Sequence, residues 1–292
     1  MAENINKELQ KIIKYSPPLL LRCAKRLYRY PRFFIALNRG RKNYKKYGGL
    51  YKYNIIFVAG LPKSGTTWLE NMLVDYPGYT IIPDPEVTLF DYKYGGTEYY
   101  QIDPKYFHRL NEALALVKIH AHGSFHNINL LHEHKIPYCI MYRDLRDAAV
   151  SYVHYVKRTP WHPQYSIYKD LSIQEGLYFF GHKYLEIWRD WVEGWLRNRD
   201  PLRSLVLKYE NLLNNSEAEF RRVVEFYNLP LDRVKGIVSD NEFSNMQSRG
   251  SFFRKGASGD WRTYFDKSSS EIYKSKIGDF LIEHGYETDY GW

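Results

Sequence analysis

From Gly60 to Leu73 the chain reads GLPKSGTTWLENML. Gly60 and Gly65 keep the spacing of a nucleoside-triphosphate loop, G-x-x-x-x-G-K-[ST]. Threonine follows Gly65, however, and the lysine stands inside the loop at Lys63. At a turn from strand to helix, the N–H groups of Gly65, Thr66 and Thr67 converge and the helix dipole adds partial positive charge. With the Lys63 ammonium, Ser64 and the two threonine hydroxyls, this is a cradle for a phosphate or a sulfonate. The alternative is a plain turn with a surface lysine.

The neighbouring elements supply the context such a loop needs. NIIFVAG (54–60) is a short β-branched apolar run, and TTWLENMLVDY reads as a helix. Further apolar runs cover 113–119, 136–142 and 204–210. Capping-box patterns at Ser172/Glu175, Ser216/Glu219 and Ser268/Glu271 mark helix starts. Strands alternating with helices predict an α/β fold: a single domain with a central parallel β-sheet flanked by helices and a P-loop-like nucleotide-binding core. Residues 1–52, rich in Lys, Arg and Tyr, are expected to form a basic N-terminal helical arm packed on a core domain of 53–292. A basic amphipathic arm lying on a membrane is the alternative.

The 292 residues are 44% hydrophobic, enough for a sizeable core. Their net charge of +9 suits an anionic partner as well as simple solubility. Only Cys23 and Cys139 occur, so no disulfide framework is expected and a reducing, cytoplasmic compartment is. No apolar run is long enough for a transmembrane helix.

Three blocks, in order, resemble the sulfotransferases that use 3′-phosphoadenosine 5′-phosphosulfate. They are LPKSGTTW, YRDLRDAAVSY and FFRKGASGDW. The resemblance covers most of the chain after residue 50 and is closest to the soluble branch of the family. It implies that the first block holds the 5′-phosphosulfate. Arg143 and Ser151 of the second, with Arg254, Lys255 and Gly256 of the third, would hold the 3′-phosphate. Trp68, Phe252 and Tyr209 would contact adenine, with core packing as the alternative for Trp68. The product would be adenosine 3′,5′-bisphosphate, and no metal is implied.

The resemblance also implies a base. The family has K-x-H where this chain has Lys118-Ile119-His120. His120 lies just past an apolar run, at the strand end where open sheets place ligands. It would take the acceptor proton, Lys118 would support the transfer, and Lys63 would neutralise the leaving oxygen. His122 is a less favoured base. A His-x-His zinc site lacks further ligands at suitable spacing.

Segments 84–100 and 155–170 fall where the family places acceptor loops. Asp84, Glu86 and Asp91 suggest a polar or cationic small-molecule acceptor bearing a hydroxyl or an amine. No nucleic-acid partner is expected. After GDW the family's dimer motif departs, with Arg262, Asp266 and Lys267 at altered positions and Glu271 kept. That predicts a monomer or a different dimer. Two other classes stay open. A nucleotide-dependent kinase would need Mg²⁺, yet the apolar run CIMYRD offers Arg143 before Asp144. A non-catalytic binder of adenosine bisphosphate or nucleic acid would show a steep salt dependence.

Overall fold

The computed structural model describes residues 18–87, 100–160, 162–242 and 255–292. The elements follow in chain order: α1 (Pro18–Tyr47), β1 (Ile55–Gly60), α2 (Thr66–Val74), β2 (Thr80–Ile81), α3 (Pro104–Arg109), β3 (Ala115–Ile119), α4 (Phe125–Glu133) and β4 (Tyr138–Tyr142). Then come α5 (Leu145–Lys157), α6 (Tyr165–Tyr168), α7 (Ile173–Lys183), α8 (Leu185–Asn198), β5 (Ser204–Lys208), α9 (Tyr209–Asn214), α10 (Ser216–Phe226), α11 (Val234–Asp240) and α12 (Lys267–Glu283). No helix among the described residues is long and apolar enough to cross a membrane.

The strands make one sheet in the order β2-β3-β1-β4-β5, every pair parallel. Alternation along each strand feeds two cores. Phe57, Ala59, Val117 and Ile140 face one, while Ile56, Val58, Leu116 and Met141 face the other. A sheet covered on both faces explains why the strands are near-continuous apolar runs. The chain leaves β1 toward β2 and leaves β4 toward β5. The C-terminal ends of β1 and β4 therefore flank a topological switch point, where such sheets open a crevice.

Several local expectations are refined. The run 204–210 stays extended only through Lys208, and Tyr209 begins α9. Strand β2 has two residues, too few to show a periodicity. The Ser172/Glu175 capping box forms in full. At α10 the cap is Asn215, whose side chain accepts from Ala218 N, and the Ser216 hydroxyl instead donates to the Leu212 carbonyl. At α12 the cap is Asp266, which accepts from Ser269 N at 2.7 Å. In both cases an Asn or Asp just upstream supplies the cap and sets the helix start.

Candidate active site

Strand register brings four segments to one edge. Ala59 pairs with Ile119, Gly60 with Met141, and Tyr142 with Lys208. His120, Leu61, Arg143 and Tyr209 therefore leave the sheet side by side.

The loop between β1 and α2 is shaped by its two glycines. A Cβ on Gly60 would lie 1.9 Å from the Thr66 methyl. Gly65 has φ 82°, and a Cβ there would lie 2.5 Å from the Tyr209 ring. Lys63 also takes a left-handed backbone, with φ 66°, a conformation that costs a non-glycine residue about 1–2 kcal/mol. The turn delivers the N-terminus of α2 to the crevice. The N–H groups of Thr66 and Thr67, at its start, have no carbonyl within the helix to bond. Ser64 is fully buried, and its hydroxyl has no hydrogen-bond partner among the described residues.

Lys63 lies with its ammonium 4.1 Å from the centre of the Tyr155 ring on α5. His162 stands edge-on to Tyr152 and Tyr155, at 5.6 and 5.7 Å. Burial, with the charge of Lys63 nearby, pushes the His162 imidazole down to about 4.

The His120 Nδ1 lies 2.5 Å from the Gly60 carbonyl. A carbonyl only accepts, so Nδ1 carries the proton and Nε2 keeps its lone pair. Burial is the main reason its pKa falls to about 4, and Lys118 and Lys63 add to the fall. The backbone on either side is pinned from α8. Trp191 Nε1 donates to the His120 carbonyl at 3.0 Å, and Trp195 Nε1 donates to the Ala121 carbonyl at 2.9 Å. His122 turns toward α8, bonded to the backbone of Asp190 and packed against Gly194. Lys118 is held by Glu70 at 2.6 Å and donates to the Thr67 hydroxyl at 3.2 Å. Its charge is therefore partnered within the protein.

A second cluster of polar contacts forms around Arg143. Its Nη2 donates to the Ala257 carbonyl at 2.7 Å, its guanidinium lies 4.3 Å from the centre of the Tyr209 ring, and its buried Nε has no partner among the described residues. Asp147, in the first turn of α5, accepts from Gly259 N at 2.7 Å and Trp261 N at 2.9 Å, and pairs with Arg143 at 3.4 Å. Burial raises its carboxyl pKa, while Arg143 pulls the other way. Asp147 thus ties the C-terminal block to the start of α5. The sequence offered one signal for it, the i+4 spacing from Arg143. Ser151 follows Asp147 by one further turn and is partly exposed.

Gly256 adopts φ 60°, and the Lys255 ammonium pairs with Asp260 at 2.8 Å. Phe252 and Arg254 lie outside the described residues. Trp68 is 5% exposed within the second core, its indole donating to the Asn241 carbonyl at 2.7 Å, and Tyr209 is 6% exposed. The Trp68 ring is thus packed in the core with a small exposed part. Asp144 is engaged by Arg146 at 2.7 Å, which ties up the carboxylate that a magnesium–nucleotide site would need at this strand end.

Among the suggested acceptor contacts, Asp84 is buried. It accepts from the Tyr100 hydroxyl at 2.7 Å and from Glu86 N at 2.9 Å. Burial raises its pKa. It holds its own loop together and is not presented to a cation in the crevice. Glu86 accepts from the Tyr30 hydroxyl of α1. Asp91 lies outside the described residues.

A crevice at the switch point, an anion loop with an internal lysine, and a neutral histidine at the adjoining strand end together define a group-transfer enzyme on an anionic donor. Residues 54–281 match the sulfotransferase domain, and the chain belongs to this family as a sulfotransferase dependent on 3′-phosphoadenosine 5′-phosphosulfate.

It is 25% identical over 258 residues to sulfotransferase 1A1 of Rattus norvegicus, covering 78% of this chain and 84% of that protein. It is 28% identical over 160 residues to sulfotransferase 6B1 of Danio rerio, a match spanning 47% of this chain and only 51% of that protein. Its fold is similar to the crystal structure of mouse sulfotransferase SULT7A1 complexed with PAP, with a TM-score of 0.61 and 18% identity, covering 86% of this chain and 93% of that one.

Proposed function

We propose that this chain transfers a sulfuryl group from 3′-phosphoadenosine 5′-phosphosulfate to a hydroxyl or amine of a small-molecule acceptor, with His120 as general base. Residues 53–292 carry the reaction. The observation that carries the reading is the bond between His120 Nδ1 and the Gly60 carbonyl. It leaves Nε2 as a proton acceptor at the mouth of the anion loop.

The residues present suit the nucleotide. Among the described residues, Ser64 Oγ and Arg143 Nε are buried donors without partners, one in each of two basic regions, and a nucleotide with phosphates at both ends offers an acceptor to each. When bound, the donor supplies an electron-poor sulfuryl group on a phosphate leaving group. The chain's part is to hold, orient and move a proton. Backbone N–H groups at the start of α2, with Ser64, Thr66 and Thr67, hold the 5′ anion. Lys63 supplies a charge from inside the loop, where it offsets negative charge as it builds on the leaving oxygen. Arg143, Ser151, Lys255 and Gly256, together with Arg254, hold the 3′-phosphate, and Asp147 fixes the two segments relative to each other. Tyr209 and Trp68, with Phe252, border the adenine. His120 Nε2 accepts the acceptor's proton. Lys118, held by Glu70, acts as a fixed donor beside Thr67.

The direct test is a panel of phenols, alcohols and amines incubated with the donor, read by mass spectrometry for the gain of one sulfonate. Turnover by the wild type that vanishes in His120→Ala supports the reading. Equal turnover in the two would remove His120 from it.

A further inference from the structure

The basic charge of this protein is concentrated in one element. Residues 9–52 hold 13 Lys and Arg and no Asp or Glu, which leaves the remaining residues with a net charge of −4 against +9 for the whole. The excess therefore does not belong to the anion site. Most of the segment forms α1, which precedes the residues that match the sulfotransferase family.

Helix α1 packs on the sheet edge through a narrow stripe in which Phe33, Leu37 and Gly40 are buried. Asn43 extends the contact by donating to the Gly78 carbonyl at 2.9 Å. The opposite face is exposed and mixed in character. Leu27 is 77% exposed, Ile35 61% and Phe34 50%, and they share this face with the exposed Lys42, Lys45 and Lys46. At 100° per residue, Leu27, Phe34 and Lys45 fall within about 20° of one another. Large apolar side chains placed singly on a surface need no explanation. Three on one face of a helix whose outer charges are all of one sign are the pattern of a helix that lies in a bilayer interface.

We propose that the outer face of α1 docks on an anionic lipid bilayer. Lys42, Lys45 and Lys46 would meet the headgroups, while Leu27, Phe34 and Ile35 enter the boundary beneath them. Charge complementarity selects an anionic surface, and the three apolar side chains favour a lipid over a nucleic acid, which offers phosphates but no apolar layer along its backbone. The Tyr30 hydroxyl on α1 donates to Glu86, just past the C-terminal end of β2. The N-terminal half of the docked helix thus lies at the same end of the sheet as the crevice.

The test is co-sedimentation of the full chain with vesicles of phosphatidylcholine alone and of phosphatidylcholine containing about a third phosphatidylserine. Binding is expected only to the anionic vesicles and should fall as salt rises. Lys42→Glu/Lys45→Glu/Lys46→Glu should lower the partition coefficient at least about a hundredfold, because each basic residue near such a surface is worth on the order of tenfold or somewhat less. Phe34→Ser/Ile35→Ser should lower it about tenfold or more, from lost apolar burial. All five side chains are exposed, so thermal melting and affinity for adenosine 3′,5′-bisphosphate should match the wild type and show that the variants are folded. Equal binding to both vesicle types, or no binding to either, would overturn the proposal. So would anionic-vesicle binding that the triple variant retains. If the double serine variant bound as tightly as the wild type while the triple variant did not, the face would be a general polyanion site, and the bilayer assignment would fail.

Discussion

His120 Nδ1 lies 2.5 Å from the Gly60 carbonyl, so the last residue of β1 fixes the tautomer of the histidine that follows β3. One backbone group thereby couples the anion loop to the proposed base. Any shift of the loop is felt at the imidazole, and the proton-accepting nitrogen is set before an acceptor arrives.

His120→Ala should lower kcat by about two to four orders of magnitude, the usual worth of a positioned base. Affinity for adenosine 3′,5′-bisphosphate should stay within a few-fold by calorimetry, since the ring's own bond is to backbone. Loss of binding together with turnover would mark the histidine as structural.

Lys63→Ala removes a charge from inside the loop and a cation from the face of Tyr155. Its kcat should fall by at least about a hundredfold, comparable to loss of one preorganised donor at a transition state. Because the residue holds φ 66°, Lys63→Gly should be folded at least as stably as Lys63→Ala while remaining equally slow. A glycine variant that regained activity would mean that the backbone, and not the ammonium, is what matters.

Arg143 and Asp147 should separate by experiment. Arg143→Ala should cut the preference for the 3′,5′-bisphosphate over the 5′-monophosphate by about tenfold or more, since a charge-assisted bond is worth roughly 1.5–3 kcal/mol. Asp147→Ala should also lower unfolding free energy, by about 3 kcal/mol, because it strands a buried arginine and two backbone donors. Paired affinities and denaturant melts on both variants are the check. Unchanged nucleotide preference in Arg143→Ala would end its assignment to the 3′-phosphate.

Burial keeps His120 and His162 neutral in the folded protein down to about pH 4. In an unfolded chain a histidine protonates near 6.5. Between these values the unfolded state binds more protons. The stability contributed by the two imidazoles is therefore complete above about pH 6.5 and is lost as pH falls toward 4. Urea melts of the nucleotide-free protein at several pH values should show this loss, and His120→Gln/His162→Gln should shrink it relative to the wild type. An identical pH slope in both proteins would contradict the burial of the neutral rings.

The anion loop, the strand ends and the three blocks were legible because their information is local. Glycine spacing, an apolar run and a capping residue act within a few positions of themselves. The parallel sheet followed from the alternation of strands and helices. Which histidine faces the loop did not follow. His120 and His122 share a strand parity in the sequence, and tertiary contacts, among them the indoles of Trp191 and Trp195 more than 70 positions away, hold the backbone so that one ring reaches Gly60. The partner of Lys118 is Glu70, 48 positions back, and Asp147 reaches Gly259 across 112. The carboxylates near the acceptor loops could be read as partners for a cation or as solvated loop charges, but Asp84 turns inward to Tyr100. A buried carboxylate must find donors, and which donors are within reach is set when distant segments pack, not by the order of residues along the chain.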